Sequence, residues 1–357
     1  MTRYPFNRPL GAAVSVIVAA VLTACGGGGG SSTSAELLAI TDANSDSVSH
    51  AAAASVVSLG STGAAPLASQ SSSGDVRTAF AAGAALRGSW KAYVIEALTD
   101  SARTQRLAAR TELKRPLAMI GPISQGCSVS GTMSVMLDDR DGNSMISMGD
   151  VMSITFTDCR ETAQETISGS MTMTVLAADP AGTSVTADLE MSRLTDTTLN
   201  HSISLDGTVR FVYSTSSLSS PLETTEMTAH GPVVARLSTH LPYTDTVTLQ
   251  DGWHETSEYD DSVPPRTGNV EYGKMTLRVN GSFKSAKAGG TVSVSMPMAA
   301  VSYGEDAYPR AGELLVEGAQ SALRLKALSP DRVQIDLDAN GDGTYESSKT
   351  ESWDWLL

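Results

Sequence analysis

From Ser128 onward the apolar residues fall on alternate positions. Val129, Gly131, Met133, Val135 and Leu137 alternate with Ser130, Thr132, Ser134 and Met136, and Met152, Ile154 and Phe156 repeat the pattern. Period-two runs continue through Ile167 to Leu176, Val185 to Leu194, Ile203 to Tyr213, Val233 to Leu237 and Val247 to Leu249. They resume at Tyr272 to Val279, Val292 to Val301, Leu314 to Val316, Leu323 to Leu328 and Val333 to Leu337. Asp179-Pro180, Asp206-Gly207, Asn280-Gly281, Gly289-Gly290 and Asn340-Gly341 read as the turns between them. The pattern predicts a mostly β chain, with an antiparallel domain of about a dozen strands over 125–357. One apolar face per strand suits a large curved sheet or a barrel-like closure with one buried side.

Upstream the period changes. Phe80, Ala84, Trp90, Val94, Leu98 and Ala102 follow the plausible N-cap Asp75 at helical steps, and Arg103, Arg106, Arg110, Lys114 and Arg115 fill the later turns before Pro116. One or two short helices are expected over 76–115, with Phe80 and Trp90 packing on the domain. Residues 25–75 are rich in Gly, Ser and Ala and read as a flexible tether. Within them, Leu37, Leu38, Ile40, Val48, Ala52 and Val56 keep a loose helical spacing, enough for a short helix docking on the body. No period of 20–50 residues repeats, which speaks against a solenoid or propeller.

The first 24 residues differ from everything after them. Arg3 and Arg8 precede the apolar run Ala12–Ala24, too short for a bilayer span and suited to a signal-peptide core. Leu22-Thr23-Ala24-Cys25 resembles the lipobox of bacterial lipoproteins. That resemblance implies cleavage before Cys25, acylation of Cys25 with palmitate-type chains, and Gly26–Ser32 as the tether to the body. Two or more acyl chains hold a protein stably at a bilayer, at about 0.8 kcal/mol per buried CH₂. Gly26, rather than Asp, after the Cys resembles the pattern of lipoproteins sent to the outer membrane. A periplasm-facing, outer-membrane protein is therefore expected.

Charge narrows the partners. The chain carries a net charge of −14, with 39 acidic against 25 basic residues. A strongly acidic chain without basic clusters argues against nucleic acid and against anionic lipid surfaces as partners. With Cys25 set aside, Cys127 and Cys159 remain. In an exported chain they read first as a disulfide, and second as a thiol pair for redox or metal chemistry. The bond would sit near the base of a hairpin. Cys127 shares parity with the apolar residues 129–137, whereas Cys159 is out of parity with Met152, Ile154 and Phe156. A bulge near Asp158 is needed to correct the facing.

Two acidic loops carry the most chemistry. In the stretch Asp138-Asp139-Arg140-Asp141-Gly142-Asn143, the residues Asp139, Asp141 and Asn143 alternate, and Asp150 stands twelfth when Asp139 is first. This resembles the calcium loop of EF-hands and of dockerins, in which oxygens at alternate positions supply the 6–8 ligands that Ca²⁺ takes. Ser144 stands where that loop takes Gly, and the flanks read as strands. Asp338, Asn340, Asp342 and Gly343 match the first half of the same loop, with Lys349 at the twelfth place where a carboxylate belongs. For both, the plainer account is a polar hairpin turn built on Asx chemistry.

Other signals fall away. Gly268–Lys274 looks like a phosphate loop until Met275, and it lies in a β-alternating stretch. Of His50, His201, His230, His240 and His254, only His254 has acidic company, in Glu255, Glu258, Asp260 and Asp261, which reads as a solvated acidic loop. Met171/Met173 and Met296/Met298 each point to one face, as core filling does. A Met-rich, aromatic-poor interior would also suit a barrel that holds an apolar ligand.

Cys127, Gly131, Thr132, Gly149, Asp150, Thr155, Phe156 and Cys159, with Asp342, Gly343 and Trp353 near the C-terminus, resemble the outline of an uncharacterised Gram-negative bacterial lipoprotein family. The likeness leaves about residues 180–300 unmatched and implies no activity. A lipid-anchored, non-enzymatic structural or interaction module of the cell envelope is expected, with calcium as the one cofactor suggested. The alternative is a barrel-type carrier of apolar ligands in the periplasm.

Overall fold

The alternation beginning near Ser128 becomes strand in the computed structural model. It describes residues 36–59 and 120–356 apart from 144–145, 161–162, 164, 199–200, 218–219, 221, 240–242, 261, 264–272 and 304–307. The signal-like run 1–24, Cys25 and the helical segment 76–115 lie outside the described residues. The strands are β1 (Ile120–Gly126), β2 (Ser130–Asp138), β3 (Val151–Arg160), β4 (Thr166–Ala178), β5 (Ser184–Thr197), β6 (His201–Thr215), β7 (Leu222–Ala229) and β8 (Val233–Thr239). There follow β9 (Thr244–Leu249), β10 (His254–Asp260), β11 (Lys274–Ser285), β12 (Gly290–Tyr303), β13 (Ala311–Gly318), β14 (Ser321–Ser329), β15 (Arg332–Asp338) and β16 (Ser347–Ser352). Helix α1 (Ser45–Leu59) precedes them and α2 (Trp353–Leu356) follows. All sixteen strands join one antiparallel sheet, so the mostly β class with a short helix ahead of the sheet is the fold observed.

Chain order equals spatial order from β1 to β6 and again from β11 to β16. Between these blocks the sheet forks. Along its free edge β6 pairs first with β8, over His201–Asp206, and then with β7, over Val209–Thr215. Strand β11 does the same in reverse, pairing with β10 over Lys274–Asn280 and with β9 over Phe283–Ser285. Because β7 pairs with β10 and β8 with β9, the six strands close a ring.

The two places where the long strands change partner are Asp206-Gly207 and Asn280-Gly281, which the sequence marks as turns. They lie instead in the middle of β6 and β11. A Cβ on Gly281 would stand 2.8 Å from the Cα of Trp253, and one on Gly207 would stand 2.9 Å from the Cα of Val233. Glycine is needed here because another stretch of backbone crosses the strand, not because the strand reverses.

Bulges continue this crease across the sheet. The β2–β3 register shifts between Ser130 and Thr132, opposite Asp158, whose φ is +46°. The expected parity correction before Cys159 is therefore present. The next shifts fall between Phe156 and Cys159, between Ser168 and Ser170, between Met191 and Leu194, and between Leu277 and Asn280. Asp206 steadies one of them by accepting the Arg193 N–H at 2.9 Å and pairing with Arg236. Bulges raise local twist and bend the strand that carries them, so a row of them lets one sheet curl over its own apolar face.

That face forms one core. It runs from Met133 on β2 through Ile154, Met171, Leu189, Phe211, Phe283, Val316 and Leu325 to Leu337 on β15. Helix α1 lies within it, against β8, β9, β11, β14 and α2. Every residue from Val48 to Ser55 is buried, two full turns enclosed on all sides. The run Ala51-Ala52-Ala53-Ala54 explains how strands approach so closely. Asn44 closes the turn that leads into the helix, its Oδ1 accepting the Thr41 N–H at 2.8 Å. The helix expected between Ala35 and Leu59 thus forms, but as an interior element. The compact body begins at Glu36, inside the 25–75 span that the sequence assigned to tether.

Candidate metal centres at two hairpin tips

The β2–β3 hairpin carries the first acidic loop at its tip and a disulfide at its base. Cys127 and Cys159 are bonded, with Cα atoms 5.5 Å apart, so the thiol-pair alternative is set aside. Cys159 is buried in the core, while Cys127 lies partly buried in the turn between β1 and β2.

At the tip, Asp139, Asp141 and Asp150 each offer a carboxylate oxygen within 4.8 Å of the others. Asp139 and Asp150 are 4% and 1% exposed, whereas Asp141 is exposed. The loop winds around these carboxylates. Asp150 accepts the Arg140 N–H at 3.0 Å and the Ser147 N–H at 2.8 Å, and Asp139 accepts the Gly142 N–H at 2.8 Å. Asp141 accepts from the Asn143 N–H at 3.0 Å and the Ser147 hydroxyl at 2.8 Å. Those donors, the Asn143 N–H first, hold the Asp141 carboxyl below its ordinary value. The Arg140 guanidinium pairs with Asp138 instead, at 3.3 Å. Asn143 donates its amide to Asp141 at 2.6 Å, so it supports that carboxylate. Ser144, at the expected glycine position, lies outside the described residues.

The β15–β16 loop repeats the arrangement. Asp338 is buried and accepts the Gly341 N–H at 2.6 Å and the Gly343 N–H at 2.9 Å. Asp342 accepts the Thr344 N–H at 2.7 Å, the first of the bonds that keep its carboxyl low. The third carboxylate is Glu346, which accepts the Ala339 N–H at 2.8 Å and the Asn340 amide. Asp338, Asp342 and Glu346 bring oxygens within 4.8 Å of one another. Glu346 is ninth from Asp338, and sequence reasoning missed it by looking only to the twelfth place. Lys349 stands outside the loop, on β16, bonded to Asp46 at 2.6 Å. Both triads are of the hard-oxygen type that Ca²⁺ takes.

The remaining candidates separate. His254 lies in strand β10, not in an acidic loop, and its ring nitrogens meet Thr228 at 3.0 Å and Thr256 at 3.1 Å. Glu255, its neighbour in sequence, faces the opposite way into the core. Met171 and Met173 fill the core as expected. Met296 and Met298 do not share a face: a register shift between Ser295 and Met298 leaves Met296 against the core and Met298 exposed. His240 and residues 264–272 lie outside the described residues.

Comparison with protein-family models, with curated proteins and with solved structures finds no match to this chain.

Proposed function

We propose that this chain is a lipid-anchored, non-enzymatic module of the bacterial cell envelope, held through Cys25 on the periplasmic side of the outer membrane, with Ca²⁺ stiffening its two acidic hairpin tips. The observation carrying the interior half of this reading is the enclosed α1. The buried turns Val48–Ser55 of the helix, together with the fully buried Trp253, Phe211 and Phe283, fill space that a carrier would keep for its ligand. A filled body with a polar outer sheet face favours a structural or interaction role, with another envelope component as partner.

The anchor reading rests on the sequence of residues 1–25. Among the described residues no helix is long and apolar enough to cross a membrane, and ten residues separate Cys25 from the start of the body at Glu36. The wild type should incorporate labelled palmitate, and Cys25→Ser should abolish the label. A wild type that takes up no label, or a label that survives in Cys25→Ser, would overturn the anchor.

The calcium reading rests on burial of Asp139, Asp150 and Asp338 beside further carboxylates. A cation that binds only the folded state stabilises it by mass action, by about 2.7 kcal/mol at one hundred times its Kd. The melting temperature of the wild type should rise by several degrees when millimolar Ca²⁺ replaces EDTA. Part of that rise should disappear in Asp139→Asn/Asp150→Asn and the rest in Asp338→Asn/Glu346→Gln. A midpoint indifferent to Ca²⁺ in the wild type removes the metal.

A further inference from the structure

His50 sits on α1 at the point where that helix meets the last residues of the body. Its ring is 7% exposed. It stacks on Tyr243, with centroids 4.2 Å apart and planes 24° from parallel, and leans on Trp355 on its other side at 4.4 Å. Its Nδ1 lies 2.9 Å from the Leu356 carbonyl, which fixes the neutral tautomer with the proton on Nδ1 as the donor. One imidazole thus ties α1, the segment entering β9, and α2.

Charges of both signs lie near this ring, and the cations reach it across the neighbouring aromatic rings. Lys287 lies 4.0 Å from the centre of the Tyr243 ring, and Lys349 lies 4.1 Å from the centre of the Trp355 ring. From α1 itself, Asp46 faces the imidazole, but it is paired with Lys349 at 2.6 Å. From the β9 side come Tyr243, whose hydroxyl donates to Asp245 at 3.2 Å, and Asp245. Asp245 is buried and also accepts the Ser285 hydroxyl at 2.5 Å and the Lys287 N–H at 2.9 Å. The inward positions of β8 are Val233, Ala235 and Leu237, those of β11 Leu277, Val279, Phe283 and Ser285, and those of β14 Ser321, Leu323 and Leu325. None of these brings a charge. Protonating His50 would place a third cation beside two lysines in a desolvated, ring-lined slot, with the nearer carboxylates already engaged.

We propose that His50 is an acid-released latch: neutral, it fastens α1 to α2 and to the sheet, and once protonated it loosens that junction and the N-terminal segment leading into it. Burial, first among the causes, holds its imidazole below the ordinary value of 6.5, Lys287 and Lys349 adding to the effect while the Leu356 carbonyl and Asp46 oppose it. A group that binds its proton less readily when folded costs stability as the pH falls. The loss begins near 6.5, where the unfolded chain starts to protonate, and grows until the folded pKa is passed. The device stands on this junction alone and holds whether or not Cys25 is acylated.

The test is hydrogen exchange on the full-length protein at pH 7.5 and 5.5, corrected for intrinsic exchange rates, together with the NMR titration of the His50 ring. Amides of Val48–Ser55 should lose protection several-fold at pH 5.5 relative to those of β4 and β5. In His50→Asn, whose amide can still donate to Leu356 but cannot charge, that differential should vanish. Equal protection at both pH values, a differential that survives in His50→Asn, or a His50 titration midpoint at or above 6.5 would overturn the latch. The titration reads the wild type and stands even if the variant folds poorly. A matching differential that follows His201, which burial also holds low, would count against His50.

Discussion

Trp253→Ala lowers the stability of the body by about 3–5 kcal/mol, as measured by denaturant unfolding, the range that follows removal of a fully buried large aromatic side chain. Trp253 is 0% exposed and lies where the sheet forks. Its backbone knits the two hairpins: its carbonyl accepts the Ala229 N–H at 2.8 Å, and its N–H donates to the Gln250 carbonyl at 3.0 Å. Its ring meets Phe283 edge-on with centroids 6.4 Å apart. At a fork no strand edge continues straight across, so side-chain volume must close the space that ladder hydrogen bonds leave open. The indole N–H is buried and finds no acceptor among the described residues, and an unmet buried donor is itself destabilising by about 1–3 kcal/mol. Trp253→Phe should therefore cost far less than Trp253→Ala, because it removes the unmet donor while keeping most of the volume. Equal losses for the two variants, or a loss below about 1 kcal/mol for Trp253→Ala, would show that the fork is not held by this ring.

The same fork marks where the sequence stopped being legible. Strands with one apolar face, such as β4, β5 and β12, announce themselves by alternation. The four strands the pattern missed are β1, β7, β10 and β16, with sequences IGPISQG, LETTEMTA, HETSEYD and SSKTES. Two of them are the outer edges of the sheet, and two flank the fork. Edge strands bury little, so their apolar code is thin. In β10 the inward position after Trp253 is Glu255, a buried carboxylate that breaks the alternation. Glycine misled for a related reason. In Asp206-Gly207 and Asn280-Gly281 it signals a crossing by another part of the chain, and only the tertiary fold reveals the crossing partner. Parity was informative by contrast. The mismatch between Cys159 and Ile154 required an irregularity near Asp158, and Asp158 is where the strand bulges.

At the acidic loops the residue types were legible, and the closing ligand was not. Alternating Asp and Asn at 139, 141 and 143, or at 338, 340 and 342, identify a loop that turns back on its own carboxylates. Which residue completes the triad depends on how the hairpin closes. The first loop closes on Asp150, just before β3. The second closes on Glu346, one residue ahead of β16, so its carboxylate arrives three positions sooner. A spacing rule taken from a helix-flanked loop does not transfer to a strand-flanked one.

Removing the disulfide with Cys127→Ala/Cys159→Ala should cost about 3–4 kcal/mol by the chain-entropy estimate for a loop of this length; the cysteines are separated by 32 positions. The native structure determines where that cost is felt. The bond joins the β1–β2 turn to the buried end of β3, spanning β2, so it staples three strands at one free edge of the sheet. Among the described residues strand β1 has no neighbour beyond β2, so it depends most on the staple. Hydrogen exchange should therefore rise first in β1 to β3, while β5, β6, β11 and β12 keep their protection relative to the lowered global stability. The tip loop lies at the far end of the same hairpin, nine residues along β2 from the staple. If Asp139, Asp141 and Asp150 hold Ca²⁺, the ion and the disulfide brace one hairpin from opposite ends and their effects are coupled. The Ca²⁺-dependent rise in melting temperature should then differ between oxidised and disulfide-free protein. Identical Ca²⁺ responses would separate the two devices, and coincident unfolding midpoints with and without the disulfide would deny the staple any role in stability.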